Sequence, residues 1–264
     1  MKAWAALLCS MLVASCATSP RSAAPAMAMW RLDCGTFEID NLEGRGRVVM
    51  PVSCYLIRHG NELILFDAGL EASLHGKPRR ERGQTLRLDE TLATQLAKIG
   101  VDPAKVTRLI VSHYHGDHHG QADLFPNARL VMGAGDAAAL RAESDQGKLG
   151  PWLNGQRLIE EVAADRDLSG DGKLLVLFTP GHTPGHLAML VKLGSAAYVL
   201  SGDFVHSRSQ LATQRPSGNH VDKARGKVEI ERVLKLAQDN KATIIVGHDE
   251  ADVGQLPPFP KAAE

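Results

Sequence analysis

The chain has 264 residues, 44% hydrophobic and 23% charged, with 30 basic and 30 acidic side chains. This is ordinary globular composition and enough chain for one sizeable core. The balanced charge argues against a nucleic-acid surface, which would carry a basic excess, and no stretch is long and apolar enough to span a membrane as a mature helix.

Met1-Lys2, the apolar run Ala3 to Val13 and the small residues Ala14-Ser15 before Cys16 read as a targeting segment. They resemble a bacterial lipoprotein signal, cut before Cys16, with lipid attached to that cysteine. Residues 1–15 are then removed. Residues 16–28, rich in Ala, Ser and Pro, form a tether, and residues 29–264 form one domain. The mature protein is expected to be exported and anchored to the periplasmic side of the cell envelope through lipidated Cys16, without spanning the membrane.

Trp30–Phe37, Val48–Arg58 and Glu62–Asp67 read as strands. Cys34 and Cys54 lie in the first two and could face each other. They are read as two buried thiols, because strand-to-strand disulfides demand specific geometry, although export would allow a bridge. The insert Glu71–Arg87, with Lys77, Arg79, Arg80, Glu81 and Arg82, is read as a solvated charged loop in preference to a lid. Leu88–Ile99 follows as a helix capped by Asp89.

Thr107–Ser112 is a β-branched, apolar run and so a buried strand. It leads into Ser-His113-Tyr-His115-Gly-Asp117-His118-His119-Gly. Imidazoles and a carboxylate suit zinc or a similar borderline metal. Ligands two apart in an extended turn can converge on one ion, and the next pair can reach a second ion about 3.5–4 Å away. Asp136–Ala142 is a short helix. Asp167–Gly172 has some look of a calcium loop but is read as a strand-linking turn, since it lacks the length and terminal Glu of an EF-hand. Three more strands each end near a glycine and a His or Asp: Leu174–Phe178 before Thr179-Pro-Gly-His182-Thr-Pro-Gly-His186, Tyr198–Ser201 before Gly202-Asp203, and Thr243–Val246 before Gly247-His248-Asp249. Val228–Gln238 is a longer helix between the last two.

On these motifs the chain resembles the metallo-β-lactamase fold superfamily from about residue 30 to residue 256. The resemblance implies an α/β fold, a four-layer αβ/βα sandwich. It implies two zinc ions, one held by His113, His115 and His186, the other by Asp117, His118 and His248, with Asp203 bridging. His182 and His119 are then expected to lie outside the ligand set. A hydroxide shared by the two ions would attack the substrate, and Asp117 would orient it and pass its proton to the leaving oxygen.

Val52-Ser-Cys-Tyr-Leu-Ile57 followed by Leu65-Phe-Asp67-Ala-Gly69, Asp171-Gly172 running into the Thr-Pro-Gly-His repeat, and Gly247-His248-Asp249 look most like the N-acyl homoserine lactonases. The lactonases usually carry a tyrosine three residues after the bridging aspartate, touching the substrate carbonyl. Here that position is His206, expected to be a catalytic donor to the developing oxyanion. The implied activity is lactone hydrolysis with a small-molecule substrate. Alternatives are a thioesterase, a phosphotriesterase, a β-lactamase or a non-catalytic zinc-binding lipoprotein. A bridging Asp203 argues against most β-lactamases, export against a cytosolic thioesterase, and the full ligand set against a non-catalytic role.

Overall fold

The computed structural model describes residues 27–264 apart from 41–43, 45 and 82, together with Met1. The expected signal segment, Cys16, nearly all of the tether and Arg82 lie outside the described residues.

Two sheets face each other. The larger is built from β1 (Met27–Ile39), β2 (Val48–His59), β3 (Glu62–Phe66), β4 (Arg79–Glu81), β5 (Gln84–Arg87), β6 (Arg108–Ile110), β7 (Arg129–Gly133) and β8 (Ile159–Val162), in the order β4-β5-β1-β2-β3-β6-β7-β8. The smaller holds β9 (Arg166–Asp167), β10 (Leu174–Phe178), β11 (Leu187–Leu193), β12 (Ala196–Leu200) and β13 (Thr243–Ile245), in the order β13-β12-β11-β10-β9. The helices are α1 (Leu92–Lys98), α2 (Ala134–Ala142), α3 (Gly150–Leu153), α4 (Arg208–Thr213) and α5 (Lys223–Asp239).

Strand alternation sorts the apolar residues into layers. Tyr55 and Ile57 of β2, Ile64 and Phe66 of β3 and Ile110 of β6 point inward and meet Leu187, Met189 and Val191 of β11. The alternate residues Cys54, Leu56, Leu65 and Leu109 point outward and pack against Leu92 and Leu96 of α1 and Trp152 of α3. On the far side, Ala188 and Leu190 of β11 pack against Ile230 and Val233 of α5. Both faces of each sheet are thus covered, giving the expected four-layer αβ/βα sandwich.

Several elements differ from the sequence reading. The helix expected at Leu88–Ile99 begins at Leu92, because Thr91 and not Asp89 caps it, its Oγ1 accepting from Thr94 N–H. Leu88 is held instead in a bridge with His75. The two thiols are a disulfide, Cys34–Cys54, with Cα atoms 5.8 Å apart. Cys54 pairs in register with Leu32, and a register shift between Asp33 and Thr36 leaves Cys34 in an irregular stretch of β1, so the bridge runs diagonally between the strands and not between directly opposed residues. The insert is not a loop. It folds into a short helical turn, Ala72–Leu74, and the β4–β5 hairpin, which extends the sheet beyond β1; Leu74 and Leu86 are buried, while Lys77, Arg79, Arg80 and Glu81 stay exposed. Asp167–Gly172 is the expected turn, with Asp167 accepting from the backbone N–H groups of Ser169, Gly170 and Gly172.

Residues 260–263 return to β1. Met29 and Ala263 exchange two backbone hydrogen bonds, both 2.9 Å, and Trp30 Nε1 donates to the Pro260 carbonyl at 3.2 Å. This contact covers the part of β1 that precedes its pairing with β5, which spans Thr36 to Ile39.

Candidate metal centre

The chemistry-bearing residues gather where strands of both sheets end. The larger sheet contributes the loop after β6, and the smaller contributes the β10–β11 loop and the turns after β12 and β13. These loops ride on buried strands, so their side chains are held by a rigid frame.

Two groups of ligand-type atoms form. His113, His115, His182 and Asp203 converge in one, and Asp117, His118 and His248 in the other, each set of atoms lying within 4.8 Å of one another. In the first group, His182 Nε2 lies 3.2 Å from His113 Nε2 and 3.1 Å from His115 Nδ1, which are themselves 2.8 Å apart. In the second, Asp117 Oδ2 lies 3.3 Å from His118 Nε2 and 3.5 Å from His248 Nε2. Asp203 stands between them. Its Oδ2 is 3.7 Å from His113 and 3.6 Å from His182, and its Oδ1 is 3.5 Å from His118 and 3.1 Å from His248. One carboxylate thus turns one oxygen toward each group.

His182, not His186, completes the first group. His186 sits at the entrance to β11, where its ring is drawn under Gly202. Its Nε2 accepts from the Asp203 backbone N–H at 2.8 Å, and its Nδ1 bonds the Thr179 hydroxyl at 2.7 Å. Both ring nitrogens are therefore occupied. A Cβ on Gly202 would lie 2.7 Å from His186 Nε2, and its φ of +50° also favours glycine. His186 thus seats Asp203 from behind. His119 keeps out of both groups as expected, its Nε2–H donating to the Tyr114 carbonyl at 3.0 Å.

Other histidines are aimed through their second nitrogen. His118 Nδ1 bonds Asp67 Oδ2 at 2.8 Å, leaving Nε2 facing the site. Asp67 also accepts from Ser112 N–H at 2.7 Å and holds the left-handed φ of +62° just past β3. His248 Nδ1–H donates to the Pro51 carbonyl at 2.8 Å. His206 stands at the site, its Nε2 bonding Asp203 Oδ2 at 3.0 Å from the cleft side.

Charge separates the groups. Burial, reinforced by neighbouring imidazoles, holds His113 well below its ordinary range, and burial lowers His115 and takes His182 down to about 2. Burial acts the same way on His118 and His248, yet the carboxylates around them win. Asp117, Asp203 and Asp67 raise His118, and Asp203 and Asp117 raise His248 to about 8. Burial likewise works to raise Asp117 and Asp203, but the facing imidazoles hold both below the usual carboxylate range.

The residues fit a pair of divalent ions. His118 Nε2 and Asp203 Oδ1 are buried acceptor-type atoms with no hydrogen bond among the described residues, an arrangement that is costly without a ligand. The nitrogen-rich first group and mixed second group match the ligands zinc takes.

The site opens into a cleft of about 530 Å³ between Phe37, Leu70 and Leu74 on one side and Arg79 and Gln84 of the hairpin on another. A second cleft of about 500 Å³, walled by Val48, Val49 and Ser217, shares Ile39, Met50, His206, Asn219 and His248 with the first. Sequence reasoning placed Asp67 in a lactonase-like motif without giving it a role, and passed over Asp136 and Asn219. For Asp67 a signal was present, since an Asp-Ala-Gly ending on a buried strand places a carboxylate at the sheet's active edge.

A sequence profile of the metallo-beta-lactamase superfamily matches residues 47–248. The N-acyl homoserine lactonase AttM of Azorhizobium caulinodans is 29% identical over 242 residues, covering 83% of this chain and 89% of that protein. The N-acyl homoserine lactonase of Bacillus cereus is 27% identical over 215 residues, covering 76% and 82%. Among solved structures, a quorum-quenching N-acyl homoserine lactone hydrolase superposes with a TM-score of 0.77 at 20% identity, covering 89% of this chain and 97% of its own. The strand-end ligand loops and the matched span, which covers most of the chain, lead to one assignment: this chain belongs to the metallo-beta-lactamase superfamily.

Proposed function

We propose that the chain is a dinuclear metal-dependent hydrolase, zinc being the metal its ligands suit best, and that it opens the ring of N-acyl homoserine lactones. The observation that carries this reading is Asp203, whose two oxygens face two separate ligand groups at the floor of a substrate-sized cleft. His113, His115 and His182 would hold one ion and Asp117, His118 and His248 the other. The relatives named as N-acyl homoserine lactonases support the choice of substrate.

Two bound divalent ions would acidify a water molecule and polarise the ester carbonyl. The chain's own residues do the rest. Asp117 borders the cleft and is held ionised by His118 and His248, so it can take a proton from the attacking water and return it to the departing ring oxygen. His206 steadies Asp203 from the cleft side and His186 from the buried side. Phe37, Leu70 and Leu74 offer apolar wall to an acyl chain.

The deciding experiment is a hydrolysis panel on the zinc-loaded mature protein, spanning homoserine lactones, other lactones, a thioester, a phosphotriester and a β-lactam. Homoserine lactones should give the highest kcat/KM. A higher value for any other class would reassign the substrate.

We further propose export and lipid anchoring at Cys16. The support is the sequence Val13-Ala14-Ser15-Cys16 after a short apolar core, and a disulfide of the kind that persists in oxidising compartments. Intact mass of protein from the membrane fraction should show acyl groups on Cys16. An unmodified amino terminus beginning elsewhere would refute lipidation.

A further inference from the structure

Asp136 lies at the start of α2, outside every ligand set, and is wholly buried. Its Oδ1 accepts the backbone N–H of Gly185 at 2.5 Å. Its Oδ2 accepts the Thr183 hydroxyl at 2.7 Å and the backbone N–H of Tyr114 at 3.2 Å. Tyr114 lies between His113 and His115, and Thr183 directly follows His182. One carboxylate therefore grips both loops that carry the three histidines of the first ligand group, one loop from each sheet.

The backbone is built for this grip. A Cβ on Gly133 would fall 1.7 Å from the Gly185 carbonyl oxygen, and one on Gly185 would fall 2.5 Å from the Asp136 backbone nitrogen. Glycine at both places lets the start of α2 approach the His182–His186 turn closely enough for a short acid side chain to reach. The second group is oriented by different partners, His118 by Asp67 and His248 by the Pro51 carbonyl.

We propose that Asp136 is the positioning residue of the first ligand group, fixing His182 against His113 and His115 so that this half of the centre binds its ion tightly. The proposal rests on the dinuclear reading above. Its consequence is selective. Asparagine at this position keeps one acceptor but sets an N–H donor against the backbone N–H of Gly185 or of Tyr114, so the grip on the two loops is weakened while the second group keeps its own supports.

The test is a cobalt(II) titration of the metal-free mature protein, followed by absorption and by metal analysis. Wild type should take up two equivalents. Asp136→Asn should bind one equivalent as wild type does and the other about 10–100-fold more weakly, the range expected for losing an outer hydrogen-bond partner. Turnover should return at high metal concentration. Thr183→Val, which removes one donor and leaves Asp136 in place, should shift the same equivalent in the same direction by less. If Asp136→Asn fails to fold by circular dichroism, Thr183→Val decides alone. Two unchanged affinities, or equal weakening of both, would overturn the role of Asp136. A wild type that binds fewer than two equivalents would overturn the dinuclear reading and this proposal with it.

Discussion

The two halves of the centre are built on opposite electrostatic plans. The first gathers three imidazoles that burial keeps neutral, with Asp136 gripping their loops from outside. The second places two imidazoles among carboxylates, which raise them. A neutral imidazole is ready for an ion, since ligands must be deprotonated to bind. A protonated one must first release its proton. The two ions should therefore differ in how their binding responds to pH, although they share Asp203.

The most severe way to break the comparison is to remove the shared member. Asp203→Ala takes an oxygen from both groups, and hydrolysis should fall by more than the about 100-fold that loss of an outer partner costs. Metal analysis should show lower occupancy. Full activity with one tightly held ion would sink the two-metal reading.

Next comes the choice between the repeated histidines. His182→Ala should strip the first group of its ion, whereas His186→Ala should leave both ions bound and only loosen Asp203. Metal content of the two purified variants measures this directly, and the opposite result would return His186 to the ligand set.

Asp67→Asn tests the second half alone. Affinity for one ion should drop about 10–100-fold, because the His118 ring loses the carboxylate that orients it. This variant and Asp136→Asn should weaken different equivalents in the same titration, and weakening of a common one would erase the division of labour.

Removing the metals sharpens the contrast through pH. In the metal-free protein His248 is raised from 6.5 to about 8 by Asp203 and Asp117 against the pull of burial. A raised folded-state value stabilises fully below pH 6.5 and is lost as pH climbs through about 8. That shift corresponds to about 2 kcal/mol, and His118 acts in the same direction. The histidines that burial lowers act in the opposite direction near pH 6.5 but are spent by about pH 7.5, so the Tm of the metal-free protein should fall between about pH 7.5 and 8.5, while that of the zinc-loaded protein should change little. Parallel Tm curves would show that the two histidines are not held protonated.

The smallest effect is expected at His206. His206→Phe removes a hydrogen bond to Asp203 Oδ2 from the cleft side, so turnover should fall by about 10-fold with both ions retained, the loss of one charge-assisted bond of about 1.5 kcal/mol. Unchanged kinetics would confine its role to the cleft wall.

The ligand-bearing loops were legible because buried strands and clustered histidines are both local signals. Thr107–Ser112 and Tyr198–Ser201 announced themselves by apolar, β-branched runs, and His113 to His118 by spacing. What stayed hidden depends on contacts across long stretches of sequence. His182 and His186 sit in the same Pro-Gly-His string, and only the close approach of Gly202 to one of them decides which nitrogen is free. Asp136 looks like any helix-starting acid until Tyr114 and Gly185 are brought against it. The β4–β5 hairpin escaped notice because its strands are short and charged, and it exists by pairing with β1. β11 was passed over although Pro184-Gly185 turns the chain just before it, because the histidines of that turn drew the reading to ligands and not to the apolar run Leu187–Leu193 that follows.

The pairing of Ala263 with Met29 of β1 bears on how the chain behaves before residues 260–264 are in place. A strand edge with unpaired N–H and C=O groups is a template for another chain. While a chain is being synthesised, the amino-terminal part of β1 has one flank open, because its cover arrives only with Pro260 and Ala263. A chain lacking residues 260–264 would keep that flank open for good, beside the buried Met27 and Met29. Such a truncation should leave the metal loops intact and show itself as self-association, with the exposed flank recruiting its own counterpart from a second molecule.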